Sequence, residues 1–293
     1  MKIFVLGSGG RLGAALLREW RACGDEVAGF NHAQLDIGDF DAVREKLRAE
    51  DFGVLVNCAA LTNVDFCETH PEEAHRLNGE AVKVIAEACA EKNARCLHVS
   101  TDYVFDGGKM EPYTEADEPR PISAYGASKL AGERALLAVS PANLVVRVSW
   151  VFGPDRPSFI DQILQRALEN EAVAAIADKV AVPTYTLDAA RLLRPLLGEV
   201  PAGGVVHVCN SGACTWQEYG QSALDVAAGC GVPLRARAIA PQRMADLKAF
   251  IAKRPPHTAM STGRLTALTG LAPRPWREAV EDYVRTQWLP ARR

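Results

Sequence analysis

The chain of 293 residues has no apolar run that approaches the roughly 18 to 20 residues a membrane-spanning helix needs. It has no excess of positive charge either, because the formal net charge is -3 and the lysines and arginines are scattered along the sequence. Its eight cysteines form no Cys-x-x-Cys pair and no cysteine–histidine cluster with zinc spacing. We therefore predict no membrane span, no nucleic-acid partner and no metal site.

The cysteines fall where small core residues are expected. Cys58, Cys89 and Cys96 lie in apolar segments, which suits reduced thiols in a reducing compartment. The apolar run that follows Lys2 is four residues long and ends at Gly7, which is shorter than the apolar region of a signal peptide. A cytoplasmic location is the resulting expectation.

Apolar strands alternate with helical patterns through the first half of the chain. Residues 2–6 form an apolar segment, which is followed by a glycine turn and by leucines at helical spacing. Further strands are predicted at 27–30, 54–60, 95–101 and 144–150, separated by helices at about 39–50, 72–92 and 123–138. Continuous apolar strands separated by helices indicate a parallel sheet covered on both faces. The predicted fold is α/β, a doubly wound parallel sheet of the Rossmann type.

The second half is less regular, and prolines divide it into short pieces. Strands are predicted near 173–176 and 205–208, and helices near 158–170, 186–198, 215–229 and 276–288. We predict a dinucleotide-binding domain over residues 1–151 and a smaller C-terminal lobe, mainly for substrate, over residues 152–293. The two later strands are expected to return to the first sheet.

Gly7, Gly10 and Gly13 follow the first strand and open the first helix. A dinucleotide pyrophosphate has to lie against the backbone N–H groups at such a helix start, and a side chain at the wrong position would hold it away. Leu12 occupies the last glycine position of Gly-x-Gly-x-x-Gly, whereas Gly-x-x-Gly-x-x-Gly fits the sequence. The turn therefore predicts a dinucleotide site, with a plain structural turn as the alternative.

The ends of the next two strands indicate which dinucleotide binds. Asn31-His32 stands where proteins that prefer NAD usually place an acid for the ribose hydroxyls, and Arg11 could offset a 2′-phosphate charge. NADPH is therefore the predicted cofactor, with NADH also accepted. Asp36 is predicted at the adenine edge, or as the N-terminal cap of the next helix. The small residues that end the third strand, Ala59 and Ala60, leave room for a cofactor across the sheet edge, or for tight helix packing.

Tyr125 and Lys129 are spaced i, i+4 on a predicted helix and share one of its faces. Positive charge on Lys129 beside the phenol would lower the tyrosine pKa from about 10 toward a working pH, which makes a tyrosine a usable general acid. Thr101 follows the fourth strand at the carboxyl edge of the sheet, where its hydroxyl can hold a substrate oxygen facing Tyr125. A ring packed on a lysine stem and a strand-ending threonine turn are the alternatives.

As an ordered set, the motifs of this chain resemble those of the dTDP-4-dehydrorhamnose reductase family of extended short-chain dehydrogenases. The resemblance runs from the N-terminus almost to the end of the sequence. Its parts are the glycine turn, Leu35-Asp36-Ile37, Asn57-Cys58-Ala59-Ala60, Val64-Asp65 with Glu68, Asn78, Ser100-Thr101-Asp102-Tyr103-Val104-Phe105-Asp106-Gly107, Tyr125-Gly126 with Lys129, Gly132-Glu133, Arg147, Ser149-Trp150-Val151-Phe152-Gly153, Pro183-Thr184 and Lys253-Arg254-Pro255.

The resemblance implies an NAD(P)H-dependent oxidoreductase, expected as a monomer or homodimer. Hydride would pass to the C4 ketone of a nucleotide-linked 4-keto-6-deoxysugar, with dTDP-4-dehydro-L-rhamnose as the first expectation, and Tyr125 would protonate the oxyanion. Lys129 would hold the nicotinamide ribose, and Thr101 would orient the ketone. Asp102 and Trp150 would contact the sugar nucleotide. The residues implied to line the dinucleotide are Gly10, Arg11, Leu12, Asp36, Ile37, Ala60, Leu61 and Thr62.

Tyr103 separates reduction from dehydration. Sugar-nucleotide 4,6-dehydratases resemble this family but read Thr-Asp-Glu at the end of the fourth strand, where the two carboxyls serve the elimination of water. Because Tyr103 replaces that glutamate, simple reduction is favoured.

Two departures from the family pattern fall in the predicted substrate lobe. Lys179 stands where the family commonly has glutamine, and Arg156-Pro157-Ser158 replaces asparagines, one of which would face the substrate. Lys179 could reach a substrate diphosphate or be a solvated loop lysine. Arg254 is another diphosphate candidate, with a salt bridge to a neighbouring acid as the alternative.

These departures keep two other hypotheses open. One is a non-catalytic, NADP-binding regulatory subunit, because the β subunit of methionine adenosyltransferase resembles the same family. The other is a reductase that acts on a different carbonyl substrate.

Overall fold

The computed structural model describes residues 1–198 and 203–292. In chain order the strands are Ile3–Leu6 (β1), Val27–Phe30 (β2), Val54–Asn57 (β3), Arg95–Thr101 (β4), Leu144–Val148 (β5), Val151–Phe152 (β6), Val173–Ile176 (β7), Val180–Ala181 (β8), Thr184–Tyr185 (β9), Gly204–His207 (β10), Cys214–Thr215 (β11) and Ile239–Gln242 (β12). The α-helices are Arg11–Ala22 (α1), Phe40–Ala49 (α2), Val64–Thr69 (α3), Pro71–His75 (α4), Ala81–Glu91 (α5), Ala124–Val139 (α6), Phe159–Glu169 (α7), Thr186–Leu193 (α8), Trp216–Gly229 (α9), Gly263–Thr269 (α10) and Trp276–Tyr283 (α11). Within these described residues, no helix is long and apolar enough to cross a membrane.

Six parallel strands form the central sheet, in the order β10-β5-β4-β3-β1-β2. The chain starts at β1, moves outward to β2, and then returns to the other side of β1 to form β3. The loops that leave β1 and β3 therefore diverge, and open α/β sheets bind their ligands in the crevice at such a reversal. The predicted doubly wound fold is confirmed.

Helices cover both faces of the sheet because its strands carry apolar side chains on both sides. In β1, Ile3 and Val5 belong to the core that includes α1 and α8, while Phe4 and Leu6 belong to the core that includes α2 and α5. Each of these four side chains is at most 3% exposed. Full burial of one such side chain contributes about 1.5–3 kcal/mol, so β1 by itself contributes several kcal/mol to the stability of the sheet.

Of the two later strands expected in this sheet, the one near 205–208 is present as β10, beside β5. The prediction for 173–176 was wrong, because β7 pairs in parallel with β12. Val173 and Ala175 pack in a separate core with residues of α7 and α9. The sequence of a short apolar strand does not show which strand it pairs with. The pairing of β7 follows from its packing with α7 and α9 instead.

One helix of the second half also packs on the first sheet. The indole Nε1 of Trp20 in α1 donates to the carbonyl of Ala190 in α8, at 2.9 Å. Two elements of the second half therefore belong to the first layer structure, β10 as a strand of the central sheet and α8 in the helix layer that covers it. The division of the chain at residue 151 stays a prediction.

Candidate active site

The turn between β1 and α1, here called the glycine cradle (residues 7–13), has no room for a side chain at Gly7 or at Gly13. Gly7 has a φ of +73°, and a Cβ there would lie 2.7 Å from the backbone nitrogen of Ala59. A Cβ on Gly13 would lie 2.9 Å from the carbonyl carbon of Gly7, which is closer than packed atoms allow. No side chain caps the start of α1, and its first turn has no acidic residue. The cradle therefore fits a pyrophosphate, which needs close backbone approach and uncapped N–H groups.

A cavity of about 920 Å³ opens beside the glycine cradle at the carboxyl edge of the sheet. Its volume lies in the range of about 300–1,000 Å³ that is typical of sites for small molecules and cofactors. Sixteen predicted site residues line it: Gly7, Gly10, Arg11, Leu12, Gly13, Asp36, Ile37, Ala59, Ala60, Leu61, Thr62, Thr101, Asp102, Tyr125, Lys129 and Trp150. The fold thus gathers residues from the ends of several strands at one edge.

Tyr125 lies in the first turn of α6, which Ser123 caps by accepting a hydrogen bond from the backbone N–H of Gly126 at 3.2 Å. The tyrosine is 9% exposed, and it lines the cavity together with Thr101. Burial raises the pKa of Tyr125 above its usual value near 10, and the nearby Thr101 hydroxyl acts in the opposite direction. At neutral pH the phenol is therefore protonated, so it can donate a proton to an oxygen in the cavity.

Lys129 follows Tyr125 by one helical turn, but its amine is bonded elsewhere. The Nζ atom donates to the carbonyl of Val99 at 2.7 Å and lies 3.0 Å from Nε2 of His98. The side chain is 2% exposed, and burial lowers the pKa of Lys129 from 10.5 to about 8. The nearby charge of Asp102 raises the pKa of Tyr125 further. This arrangement does not supply the predicted effect of Lys129 on the phenol, because β4 offers its amine nearer partners.

Asp102 and Tyr103 occupy a short 3-10 turn after β4. The Asp102 carboxylate is 2% exposed and accepts hydrogen bonds from Thr101 at 3.1 Å and from Thr258 at 2.5 Å. Burial raises its pKa, and nearby positive charge opposes that shift. The ring of Tyr103 packs edge-on against Tyr125, with centroids 5.7 Å apart. Among the described residues that line the cavity, the carboxylates are Asp36 and Asp102, so no second acid stands beside Asp102 for a dehydration.

Arg11 lines the cavity, but bonds to the segment 151–157 engage its guanidinium. Nε donates to the carbonyl of Arg156 and Nη1 to that of Val151, each at 3.1 Å, while Nη2 donates to the carbonyl of Pro157. Three of its five N–H groups therefore serve backbone carbonyls, and the offset of a 2′-phosphate charge by Arg11 stays a prediction. Arg11 also connects the glycine cradle to the start of the second half of the chain.

Asp36 lies on the cavity wall, at the place predicted for the adenine edge. Its carboxylate accepts a hydrogen bond from the N–H of Gly38 at 2.9 Å and lies 3.6 Å from Nδ1 of His32. The alternative role as a helix cap is wrong, because the side chain of Asp39 caps α2.

Comparison with known proteins now identifies the chain. The family model of the RmlD substrate binding domain matches residues 1–288. The chain belongs to this family. It is 37% identical to the dTDP-4-dehydrorhamnose reductase of Mycolicibacterium smegmatis, over 97% of this chain and 85% of the relative. It is 34% identical to the probable dTDP-4,6-dihydroxy-2-methyloxan-3-one 4-ketoreductase of Streptomyces antibioticus, over 100% of this chain and 99% of the relative.

A solved structure agrees with this assignment to the RmlD family. The crystal structure of dTDP-4-dehydrorhamnose reductase from Bacillus anthracis, in complex with NADP, matches the fold with a TM-score of 0.89 at 27% identity. The match covers 97% of this chain and 99% of that chain. The resemblance found in the sequence is confirmed, and with it the prediction of an oxidoreductase.

Two residues predicted as candidate substrate ligands, Lys179 and Arg254, do not line the cavity. Lys179 is fully buried, its Nζ donates to the carbonyl of Pro255 at 2.6 Å, and burial lowers its pKa to about 8 while Asp102 opposes the shift. Neither role predicted for Lys179, diphosphate ligand or solvated lysine, fits this placement. Arg254 forms a bidentate ion pair with Asp65, at 3.0 and 2.6 Å. The alternative of a neighbouring acid is therefore confirmed for Arg254.

Asn78 is a site residue whose role sequence reasoning missed. It lies in a π-helical turn, Arg76–Glu80, and such turns often occur at functional sites. Its amide accepts from the N–H of Leu61 at 2.9 Å and donates to the carbonyl of Leu61 at 2.9 Å and to Oγ of Ser128 at 3.0 Å. These bonds connect the cavity segment 59–62 to α6. Asn78 is part of the family motifs, which could have marked it as important, but a motif does not show which groups its side chain bonds.

A buried ion pair holds α6 against the sheet. Glu133 and Arg147 are each 2% exposed, and two hydrogen bonds of 2.9 and 2.6 Å join them. Ser100 donates to the same carboxylate at 2.5 Å. The opposite charges offset each other in this buried site, although Nη1 of Arg147 has no hydrogen-bond partner among the described residues. The pair links α6 to β4 and β5, so Tyr125 and Thr101 keep their relative position.

Proposed function

We propose that this chain is an NADPH-dependent reductase that converts the C4 ketone of a nucleotide-linked 4-keto-6-deoxysugar to an alcohol. The proposed substrate is dTDP-4-dehydro-L-rhamnose, and the product is dTDP-L-rhamnose. The observation that carries the proposal is the placement of Tyr125 and Thr101 together on the wall of the cavity that also contains the glycine cradle. The relative from Mycolicibacterium smegmatis supports the substrate, and the NADP complex from Bacillus anthracis supports the cofactor.

The residues of the cavity divide between the cofactor and the ketone. The glycine cradle would hold the pyrophosphate, and NADPH supplies the hydride when it is bound. Lys129 has a third N–H beyond those near Val99 and His98, and we assign it to the ribose hydroxyls beside Tyr125. Because its pKa is about 8, Lys129 is mostly protonated at pH 7 and can donate.

Tyr125 is the proposed proton donor. Burial keeps its phenol protonated, and a proton moves from it to the ketone oxygen as negative charge develops there. Thr101 is proposed to orient the same oxygen, for which it has to redirect the O–H that it donates to Asp102 at 3.1 Å. These two residues need no second carboxylate, which agrees with Tyr103 in the place of a dehydratase glutamate.

Trp150 is proposed to contact the sugar nucleotide. It lines the cavity with an unusual φ of +40°, a conformation that costs a bulky residue about 1–3 kcal/mol and is concentrated at functional sites. Its indole packs against Trp216 and Tyr219, with ring centroids 5.7 and 6.1 Å away. An aromatic wall of this kind offers a flat apolar face to a sugar or a base.

The test is oxidation of NADPH by the purified protein in the presence of dTDP-4-dehydro-L-rhamnose, with the product identified by mass. Tyr125→Phe should lower kcat by about 100-fold or more, because general acid catalysis contributes about 10²–10⁴-fold, and it should leave NADPH binding intact. Tyr113→Phe is the matched control, because Tyr113 is buried away from the cavity lining and its hydroxyl bonds to Asp106 at 2.8 Å. Full activity of Tyr125→Phe would refute the assigned role.

A panel of substrates separates the proposal from its alternatives. The Streptomyces antibioticus relative is named for a different dTDP-linked ketone, so that ketone belongs in the same assay. Turnover of that compound alone would replace the proposed substrate and keep the reductase. NADPH binding without turnover of any 4-ketosugar nucleotide would favour the non-catalytic regulatory subunit instead.

A further inference from the structure

Arg156 lies on the cofactor side of the cavity, although the sequence placed its segment toward the substrate. A Cβ built on Gly9 would lie 3.2 Å from Cβ of Asn31 and 3.8 Å from Nη2 of Arg156. The guanidinium and the residue that follows β2 therefore flank the same point of the glycine cradle. Gly9, Asn31 and Arg156 all line the cavity. In a Rossmann fold, the residues after β2 face the ribose 2′ position of the dinucleotide.

The guanidinium of Arg156 is available for a ligand. Within residues 1–198 and 203–292, its side chain has no hydrogen bond or ion pair, and the residue is exposed. Its backbone is held in place, because its carbonyl accepts from Arg11 and the adjacent Asp155 pairs with Arg18. Arg11 and Arg18 of α1 thus hold the segment around residue 156 in place, while the N–H donors of Arg156 stay unused.

The local charge favours an anion at this point. Arg156 lies close enough to Arg11 for its charge to lower the pKa of Arg11, in addition to the larger effect of burial. No acid stands at Asn31-His32, and the nearest cavity carboxylate after β2, Asp36, lies beside His32. A planar guanidinium binds a phosphate through two parallel N–H donors, which is the strongest arrangement available to a side chain.

We propose that Arg156 binds the 2′-phosphate of NADPH and is the residue that gives this chain its preference for NADPH over NADH. This inference rests on the proposed function, because it presupposes a dinucleotide in the cavity. It moves the role first assigned to Arg11 to a residue of the second half of the chain. Cofactor preference would then depend on the segment between β6 and α7, which also borders the substrate lobe.

Binding measurements test the proposal without turnover. Calorimetric titration of the wild-type protein and of Arg156→Gln would use NADPH, NADH, 2′,5′-ADP and 5′-ADP. Loss of a charge-assisted bidentate contact should weaken NADPH and 2′,5′-ADP by about 10- to 100-fold, while NADH and 5′-ADP change by less than about twofold. Arg156→Lys should lose part of the preference, because it keeps the charge without the planar donors. Arg166→Gln, which removes an exposed arginine of α7 outside the cavity lining, should change none of these values.

Each outcome has a defined meaning. Equal weakening of NADPH and NADH in Arg156→Gln, or no weakening of either, would overturn the assignment. A separate titration with dTDP covers the substrate side, and a selective loss of affinity for dTDP in Arg156→Gln with unchanged NADPH binding would overturn the assignment as well. If the wild-type protein binds none of the four nucleotides, the proposed function fails and this inference fails with it. If the wild-type protein binds them and only the selectivity test fails, the proposed function stands.

Discussion

Replacement of Asn78 tests whether its side chain holds the cavity together. Asn78→Ala removes three hydrogen bonds, two to the backbone of Leu61 and one to Ser128. Asn78 is fully buried and Leu61 is half-buried, so water replaces these bonds only in part. At about 1 kcal/mol for each net bond, the free energy of unfolding should fall by about 2–4 kcal/mol.

The same substitution should weaken cofactor binding. Without Asn78, the segment 59–62 loses its connection to α6, and binding has to order it again. Ordering one backbone residue costs about 1–2 kcal/mol, so the Kd of NADPH should rise by about tenfold or more. Urea denaturation gives the stability, and titration with NADPH gives the affinity.

Asn63→Ala is the matched control, because it removes an asparagine from the same region of the chain. Asn63 caps α3 through one hydrogen bond of 3.0 Å to the N–H of Phe66, and it is exposed. Its loss should cost about 1 kcal/mol and leave the Kd of NADPH unchanged. The reasoning is refuted if Asn78→Ala costs less than about 1 kcal/mol, or if both variants weaken NADPH binding to the same extent.

Three further predictions follow from the same structure. Gly13→Ala should lower the free energy of unfolding by about 1–3 kcal/mol and weaken nucleotide binding, because its Cβ would meet the backbone of Gly7. Gly229→Ala, with open space around its Cβ, should be neutral in the same denaturation and titration experiments. Glu133→Gln should cost about 3–5 kcal/mol in urea denaturation, because it leaves a buried arginine charge unpaired, whereas Glu118→Gln in an exposed pair should cost less than about 1 kcal/mol; equal costs would contradict the buried-pair argument. Because burial lowers the pKa of Lys179 from 10.5 to about 8, the unfolded state binds more protons than the folded state between these pH values, and the free energy of unfolding of the wild type should rise by up to about 3 kcal/mol relative to Lys179→Met as the pH increases through this window. A pH-independent difference would rule out a buried lysine with a lowered pKa.

Local sequence patterns predicted those elements well that depend only on residues close together in the sequence. The strands at 27–30 and 95–101 agree with β2 and β4, and the glycine spacing placed the cradle correctly. These features depend on neighbouring residues, either through apolar runs or through the steric limits of a tight turn. The partner of 173–176 was predicted wrongly because strand pairing joins segments that are distant in the sequence.

The candidate site shows the same division. Helical spacing put Tyr125 and Lys129 on one face of α6, but it could not show that the Lys129 amine bonds to Val99 and lies beside His98. Lys179 and Arg254 were assigned to the substrate by charge and position, and the structure pairs them with Pro255 and Asp65 instead. A long, flexible side chain can reach many partners, so its choice depends on what the fold brings near it.

The sequence by itself determined a dinucleotide-binding α/β fold and the glycine cradle, because spacing and steric demand act over a few residues, and it predicted the set Thr101, Tyr125 and Lys129. The tertiary structure decided where the charged groups point. In the fold, Arg11 donates to carbonyls of the segment 151–157, and the unbonded side chain of Arg156 lies beside the end of β2. Leu61 is hydrogen-bonded to Asn78. Each of these contacts joins residues far apart along the chain, and only the packing of helices on both faces of one sheet makes them neighbours.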